Sequence, residues 1–228
     1  MWKGTVSEVD IRAQRASLGG TLSVPDGTSG IVLFAHGSGS SRHSPRNKHI
    51  AESLNEAGIG TLLLDLLTAE EEIVDIVTGH LAFDINLLAE RLVAATAWLM
   101  QYEKTRLCRF GYFGASTGAA AALVAAAELP RSVLAVVSRG GRPDLAAASL
   151  PSVGAATLLI VGGNDAAVIE VNRTAFNQLR SIKQMEVVAG AGHLFEEPGA
   201  LDMVSKLATR WFEDYLMPTE DSVQSTAS

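Results

Sequence analysis

Short, predominantly apolar runs recur along this chain, and longer stretches with helical periodicity separate them. The runs occupy 30–35, 60–64, 107–113, 132–137, 156–161 and 185–188, and the helical stretches 45–57, 80–102, 116–128, 166–180 and 198–215. A strand that is apolar on both faces must be covered on both sides, which a parallel sheet between helix layers provides. Short apolar runs cannot by themselves be told from buried helix, but the helical stretches that separate these runs favour strands in alternating βα units. In the 80–102 stretch, Leu81, Ile85, Leu88, Leu92, Ala95 and Leu99 recur every three or four residues and line one face.

The opening third differs. Segments 5–11 and 16–24 alternate polar and apolar residues before the turn Pro25-Asp26-Gly27. That pattern predicts an antiparallel pair at a sheet edge with one face wet. The expected architecture is therefore α/β, a mostly parallel sheet of about eight strands flanked by helices. One domain is expected over 1–216, followed by a disordered tail over 217–228. The spacing of the elements leaves no room for a large cap, although 66–79 and 141–150 could each form a small lid.

Charge and composition exclude several classes. The net charge of −7 argues against a nucleic-acid binder, which needs a basic stripe. The acidic run Glu70-Glu71-Glu72 suits the start of a solvated helix. No stretch has the ~18 consecutive apolar residues of a membrane span. Cys108 is the single cysteine, so no internal disulfide can form, and it is expected as a buried thiol. The N-terminal residues lack a signal-peptide pattern, and a cytoplasmic location is expected. No His/Cys grouping has metal-ligand spacing and no phosphate-loop lysine is present, so no metal and no cofactor are expected.

One five-residue segment carries chemistry. Gly114-Ala115-Ser116-Thr117-Gly118 fits G-x-S-x-G, with a strand-like run before it and an Ala-rich helical run after it. That context is what a nucleophile elbow requires, with glycines where backbones approach closely. A plain helix-capping serine in a small-residue turn would look similar locally. A serine hydroxyl needs a base to take its proton and an acid to orient that base. In this arrangement the order along the chain is Ser, Asp or Glu, then His. Of five histidines, only His193 follows Ser116, in the glycine-rich segment Gly190-Ala191-Gly192-His193. Asp165 falls at the carboxyl end of the 156–161 run, where open α/β sheets place their sites. Asp144 and Glu170 are its competitors. Backbone N–H groups of Thr117 and Ser38 are the expected oxyanion donors, with Gly37 as the next choice after Ser38. His36 precedes the serine and is expected to brace its own loop.

These residues resemble the α/β-hydrolase superfamily over about 4–216. Phe34-Ala35-His36-Gly37-Ser38-Gly39, the 114–118 elbow, Asp165 and His193 carry the match. The separations of 49 residues from Ser116 to Asp165 and 28 from Asp165 to His193 look most like the capless dienelactone hydrolase-related group. Members of that group use a cysteine nucleophile and carry an acidic residue where His36 stands. The resemblance therefore implies an α/β-hydrolase fold with a serine esterase-like activity. Its expected substrate is a small or medium carboxylic ester, thioester or lactone. The rivals are a catalytically silent scaffold that binds a ligand or protein, and a lactonase or amide hydrolase on the same three residues.

Arginines extend the list. Arg139 and Arg142 flank Gly140-Gly141, and Arg42 and Arg46 follow the 36–41 loop. Arginine pairs carboxylates in a bidentate fashion, so Arg139 and Arg42 are expected to contact an acidic acyl or phosphorylated substrate, unless they are surface charges or loop braces. The partner is expected to be a small molecule, with the chain a monomer or homodimer.

Overall fold

The computed structural model describes residues 2–217. The expected α/β architecture is present as one eight-stranded sheet. Its strands are β1 (Gly4–Ala13), β2 (Ala16–Pro25), β3 (Gly30–Ala35), β4 (Gly60–Leu64), β5 (Arg109–Ala115), β6 (Val133–Arg139), β7 (Ala156–Gly162) and β8 (Lys183–Val188). They lie in the order β1-β2-β4-β3-β5-β6-β7-β8. The β1/β2 and β2/β4 pairings are antiparallel, and the rest are parallel. The wet edge and the buried centre read from the sequence are thus one continuous sheet.

Helices α1 (Pro45–Glu56), α2 (Ala69–Thr78), α3 (Ile85–Leu99), α4 (Thr117–Glu128), α5 (Ala166–Gln178) and α6 (Ala200–Leu216) connect or follow the strands. On one face, Leu88, Leu92 and Leu99 of α3 and the alanines of α4 pack over Leu33, Tyr112 and Val136. On the other, Ile50 and Leu54 of α1 and Val204, Trp211 and Phe212 of α6 cover Phe34, Phe113 and Val137. Central strands that are buried on both faces follow directly from those two layers.

Local chemistry sets the ends. Ser44 caps α1, accepting the Asn47 N–H, and Pro45 takes the first helical position, where no N–H is needed. The 80–102 stretch begins as a single 3₁₀ turn over Leu81–Phe83. Asp84 then restarts the helix by accepting the Leu87 N–H, so the α-helix begins at Ile85. Among the described residues no insertion forms a cap domain, and no helix is long and apolar enough to cross a membrane. The proposed tail lies, from residue 218 on, outside the described residues.

The two lid candidates part company. Within 141–150, Pro143, Ala146 and Leu150 are buried in two short 3₁₀ segments against α4, which makes that piece part of the packed body. Segment 66–79 is different. Its α2 buries no residue and leaves Ile73, Ile76 and Val77 exposed. A Thr68–Glu71 capping box, a left-handed Gly79 C-cap and the Glu71–Arg91 ion pair hold it instead.

Candidate active site

The carboxyl ends of β3, β5, β6, β7 and β8 converge on one rim, and the candidate residues lie along it. Ser116 separates β5 from α4 with φ 51° and ψ −121°. A non-glycine residue there is strained by about 1–3 kcal/mol and persists only where its surroundings enforce it. The surroundings here are backbone. A side chain at Gly118 would strike the carbonyl oxygens of Ala35 and His36, and one at Gly114 would meet the Ala119 N at 2.7 Å. One at Gly37 would come within 3.0 Å of the Ser116 Cβ. The Ser116 N–H donates to the Arg139 carbonyl at 3.3 Å, and the Ser116 carbonyl accepts from Arg142 N at 3.1 Å. The serine is half-exposed, on a turn hydrogen-bonded to β6 and the segment after it and closely approached by the end of β3.

Asp165 and His193 stand together. His193 Nδ1 is 2.7 Å from Asp165 Oδ2. Asp165 occupies the N-cap position of α5, yet its side chain makes no cap bond and serves the histidine instead. The two loops are knit by backbone. Gly163 N donates to Val188 O at 2.8 Å and Asn164 N to Ala191 O at 2.9 Å, while Asn164 Nδ2 reaches Gly190 O at 2.8 Å. Glu197 accepts the Gly192 N–H at 2.9 Å. A side chain on Gly140 would lie 3.6 Å from His193 Cε1, which sets the imidazole over the residue that follows Arg139. The competing acids are engaged elsewhere. Asp144 pairs with Arg142 at 2.7 Å, and Glu170 with Arg173 at 3.8 Å.

His36 braces its loop, as expected. Leu66 N donates to His36 Nε2 at 3.1 Å, which fixes the ring proton on Nδ1, 3.0 Å from Gly37 O. Burial is the main cause that lowers its pKa, against opposing effects of the Gly37 carbonyl, Asp65 and Glu72.

The two expected oxyanion donors differ in state. Thr117 opens α4, where amides lack a helical partner. The Ser38 N–H is already engaged, donating to Thr117 Oγ1 at 3.1 Å. Both residues line a cavity of about 490 Å³ that extends under α2 to Leu66, Leu67, Ile76 and Phe83. The sequence singled out 66–79 by position but gave no sign of this cavity, because the segment's apolar side chains leave no internal core pattern.

The arginines also separate. Arg42 is committed to Asp65 and faces Glu8 at 3.6 Å, within a second cleft that borders α3. Arg139 is only 7% exposed and pairs with no carboxylate of the described residues. Its Nη1 donates to Leu194 O at 3.4 Å, its guanidinium carbon lies 5.7 Å from the Phe195 ring, and its Nε has no partner. Burial, followed by the charge of Arg46, lowers its pKa to about 10, so it remains a cation at neutral pH. Cys108 is half-buried with its thiol directed at Thr28 O, and burial raises its pKa. Among the described residues no group of His, Cys, Asp and Glu could hold a metal ion.

Comparison with known proteins identifies the family and the fold. The model of the family described as "Dienelactone hydrolase family" matches residues 18–216. A crystal structure of a dienelactone hydrolase from Anabaena variabilis is 57% identical, with a TM-score of 0.92, over 93% of this chain and 99% of that one. An esterase from Pyrococcus furiosus shares 16% identity and a TM-score of 0.74, over 93% and 92%, which shows the fold alone. Two Mycobacterium tuberculosis proteins, each named "Putative phosphoribosyl transferase", are 56% identical over 209 residues. Those residues are 92% of this chain but 46% of each relative, so the chain spans about half the length of the curated relatives it matches. With the family model matched over most of its length and its fold shared with α/β hydrolases, this chain belongs to the dienelactone hydrolase family.

Proposed function

We propose that this chain is a serine hydrolase that cleaves a small or medium carboxylic ester, thioester or lactone through an acyl-enzyme on Ser116. The observation that carries this reading is the strained elbow at Ser116, with the His193–Asp165 pair at the ends of neighbouring strands. His193 would take the Ser116 proton as Oγ attacks the acyl carbon, then return it to the leaving oxygen, or to the leaving sulfur of a thioester. Asp165 would hold the imidazole tautomer that leaves Nε2 free and stabilise the imidazolium. Water would then repeat the sequence and release the acid. The cavity beside Ser38 and Thr117 offers room for one substituent of the substrate.

Of the two arginines, Arg139 is the better placed to meet an acidic group, because Arg42 already has carboxylate partners. The transferase name belongs to proteins about twice this length, and that chemistry is not carried over to this chain. A ligand-binding scaffold without catalysis remains the alternative from another class.

Labelling with a fluorophosphonate probe tests the proposal, with Ser116→Ala as the control and a chain-length series of nitrophenyl esters to follow. Labelling that disappears in the variant is expected. A wild-type protein that neither labels nor turns over esters favours the silent scaffold, and persistent labelling of the variant means that another serine is the nucleophile.

A further inference from the structure

The hydroxyl of Thr117 has one role filled and one vacant. Thr117 as a residue is about 1% exposed. Its Oγ1 accepts the Ser38 N–H at 3.1 Å, which uses a lone pair and leaves the hydroxyl proton free to donate. No acceptor for that proton is found among the described residues, although buried polar groups normally have partners. Thr117 also follows Ser116 directly, and it borders the 490 Å³ cavity together with Ser38 and Gly37.

This arrangement changes the count of oxyanion donors. An N–H already given to a threonine oxygen is a weakened donor for anything else. The same hydrogen bond polarises the hydroxyl and strengthens the donation of its own proton. Only three covalent bonds separate the backbone N and the side-chain oxygen of a threonine, so the two groups can donate to one oxygen.

We propose that the Thr117 hydroxyl is itself a donor of the oxyanion hole, passing the hydrogen-bonding capacity of the Ser38 amide on to the reacting oxygen. The proposal rests on the serine hydrolase reading. As Ser116 Oγ bonds to the acyl carbon and its proton moves to His193, the carbonyl π pair moves onto oxygen. That oxygen accepts from Thr117 N–H and Thr117 Oγ–H. When the pair returns to carbon, the leaving alkoxide departs with the proton held by His193. No proton leaves Thr117 at any step. The missing acceptor of the resting site is then the charge that develops in the transition state, which is where a preorganised donor is worth most.

The test compares Thr117→Val, which keeps the shape and removes the hydroxyl, with Thr117→Ser, which keeps the hydroxyl. Nitrophenyl butyrate turnover, fluorophosphonate labelling and melting temperature are measured for each. Thr117→Val is expected to lose about 100-fold in kcat with KM changed by less than about threefold, in line with removal of one oxyanion donor. Thr117→Ser is expected to recover most of that loss.

A valine variant as fast as wild type, or faster, overturns the proposal, since it means that the freed Ser38 N–H serves directly. A serine variant as slow as the valine one also overturns it, since the hydroxyl is then not what matters. Wild-type protein that neither labels nor hydrolyses esters sinks the hydrolase reading, and this proposal with it. Wild-type activity with an unaffected valine variant sinks this proposal alone.

Discussion

Nδ1 of His193 and Oδ2 of Asp165 stand 2.7 Å apart across the ends of the adjacent strands β7 and β8. The carboxylate is 17% exposed at its side chain and the imidazole 42%, so the pair is anchored on its acid side and open on its base side. Replacing Asp165 by Asn keeps the shape but favours the wrong imidazole tautomer. By analogy with serine proteases, kcat is expected to fall by roughly 10³–10⁴. KM should stay nearly constant, because the acid touches no substrate. Steady-state kinetics on a nitrophenyl ester checks this, and a loss confined to KM would exclude the orienting role.

Ser116 stores backbone strain that catalysis needs and folding does not. Its φ of 51° would be relieved by glycine, whose own cost is about 0.5–1 kcal/mol of extra unfolded-state freedom. The net gain expected for Ser116→Gly over Ser116→Ala is about 1 kcal/mol. In a domain of this size that corresponds to a melting temperature roughly 2–4 °C higher. Both variants should be inactive. Calorimetry showing the glycine variant at or below the alanine one would mean that the elbow is not strained.

Much of this rim was legible in the residues. Runs 30–35 and 60–64 match β3 and β4 residue for residue, because both strands are buried along their whole length. The chain order Ser116, Asp165, His193 picked out residues that follow β5, β7 and β8, and the fold brings the last two into contact. Less legible was everything that depends on contacts between distant segments. The engagement of Ser38 N–H by Thr117 joins residues 79 apart, and no periodicity encodes it. Arg139 and Arg42 read alike in sequence, yet Asp65 and Glu8 occupy one and only backbone and a ring meet the other. Helix α2 was recognisable from its acidic first turn, whereas its role over a cavity came from what it fails to bury.

His36 ties stability to pH. Leu66 N–H points at Nε2, so a second ring proton would face a donor within a buried site. Burial lowers the folded pKa below the usual histidine value, while Asp65 and Glu72 only partly oppose it. Below about pH 6.5 the unfolded chain therefore takes up a proton that the folded chain refuses, and stability falls as pH drops toward the folded value. This contribution is complete above pH 7 and should be absent from His36→Gln. Urea midpoints at pH 7.5 and 5.5 check the point, with a larger acid loss expected for wild type than for the variant. Equal losses in the two proteins would assign the acid sensitivity to other groups.

Arg139 presents a buried charge that no carboxylate among the described residues neutralises. Its hydrogen bond to Leu194 O is long, Phe195 contributes only a ring face, and Arg46 adds a like charge. A buried charge without a counter-ion is costly, and an acidic group on the substrate would offset that cost. A hydrogen bond to a charged group contributes about 1.5–3 kcal/mol, or roughly 10–150-fold in binding. Arg139→Ala should therefore raise KM by about that factor for the half-ester of a dicarboxylic acid. For a neutral ester of equal length the change should stay below about threefold. Arg42→Ala should discriminate little, since its guanidinium is held by Asp65. If Arg139→Ala instead lowers kcat equally for both esters, Arg139 acts through Leu194 on the histidine loop, and the substrate has no acidic group to place there.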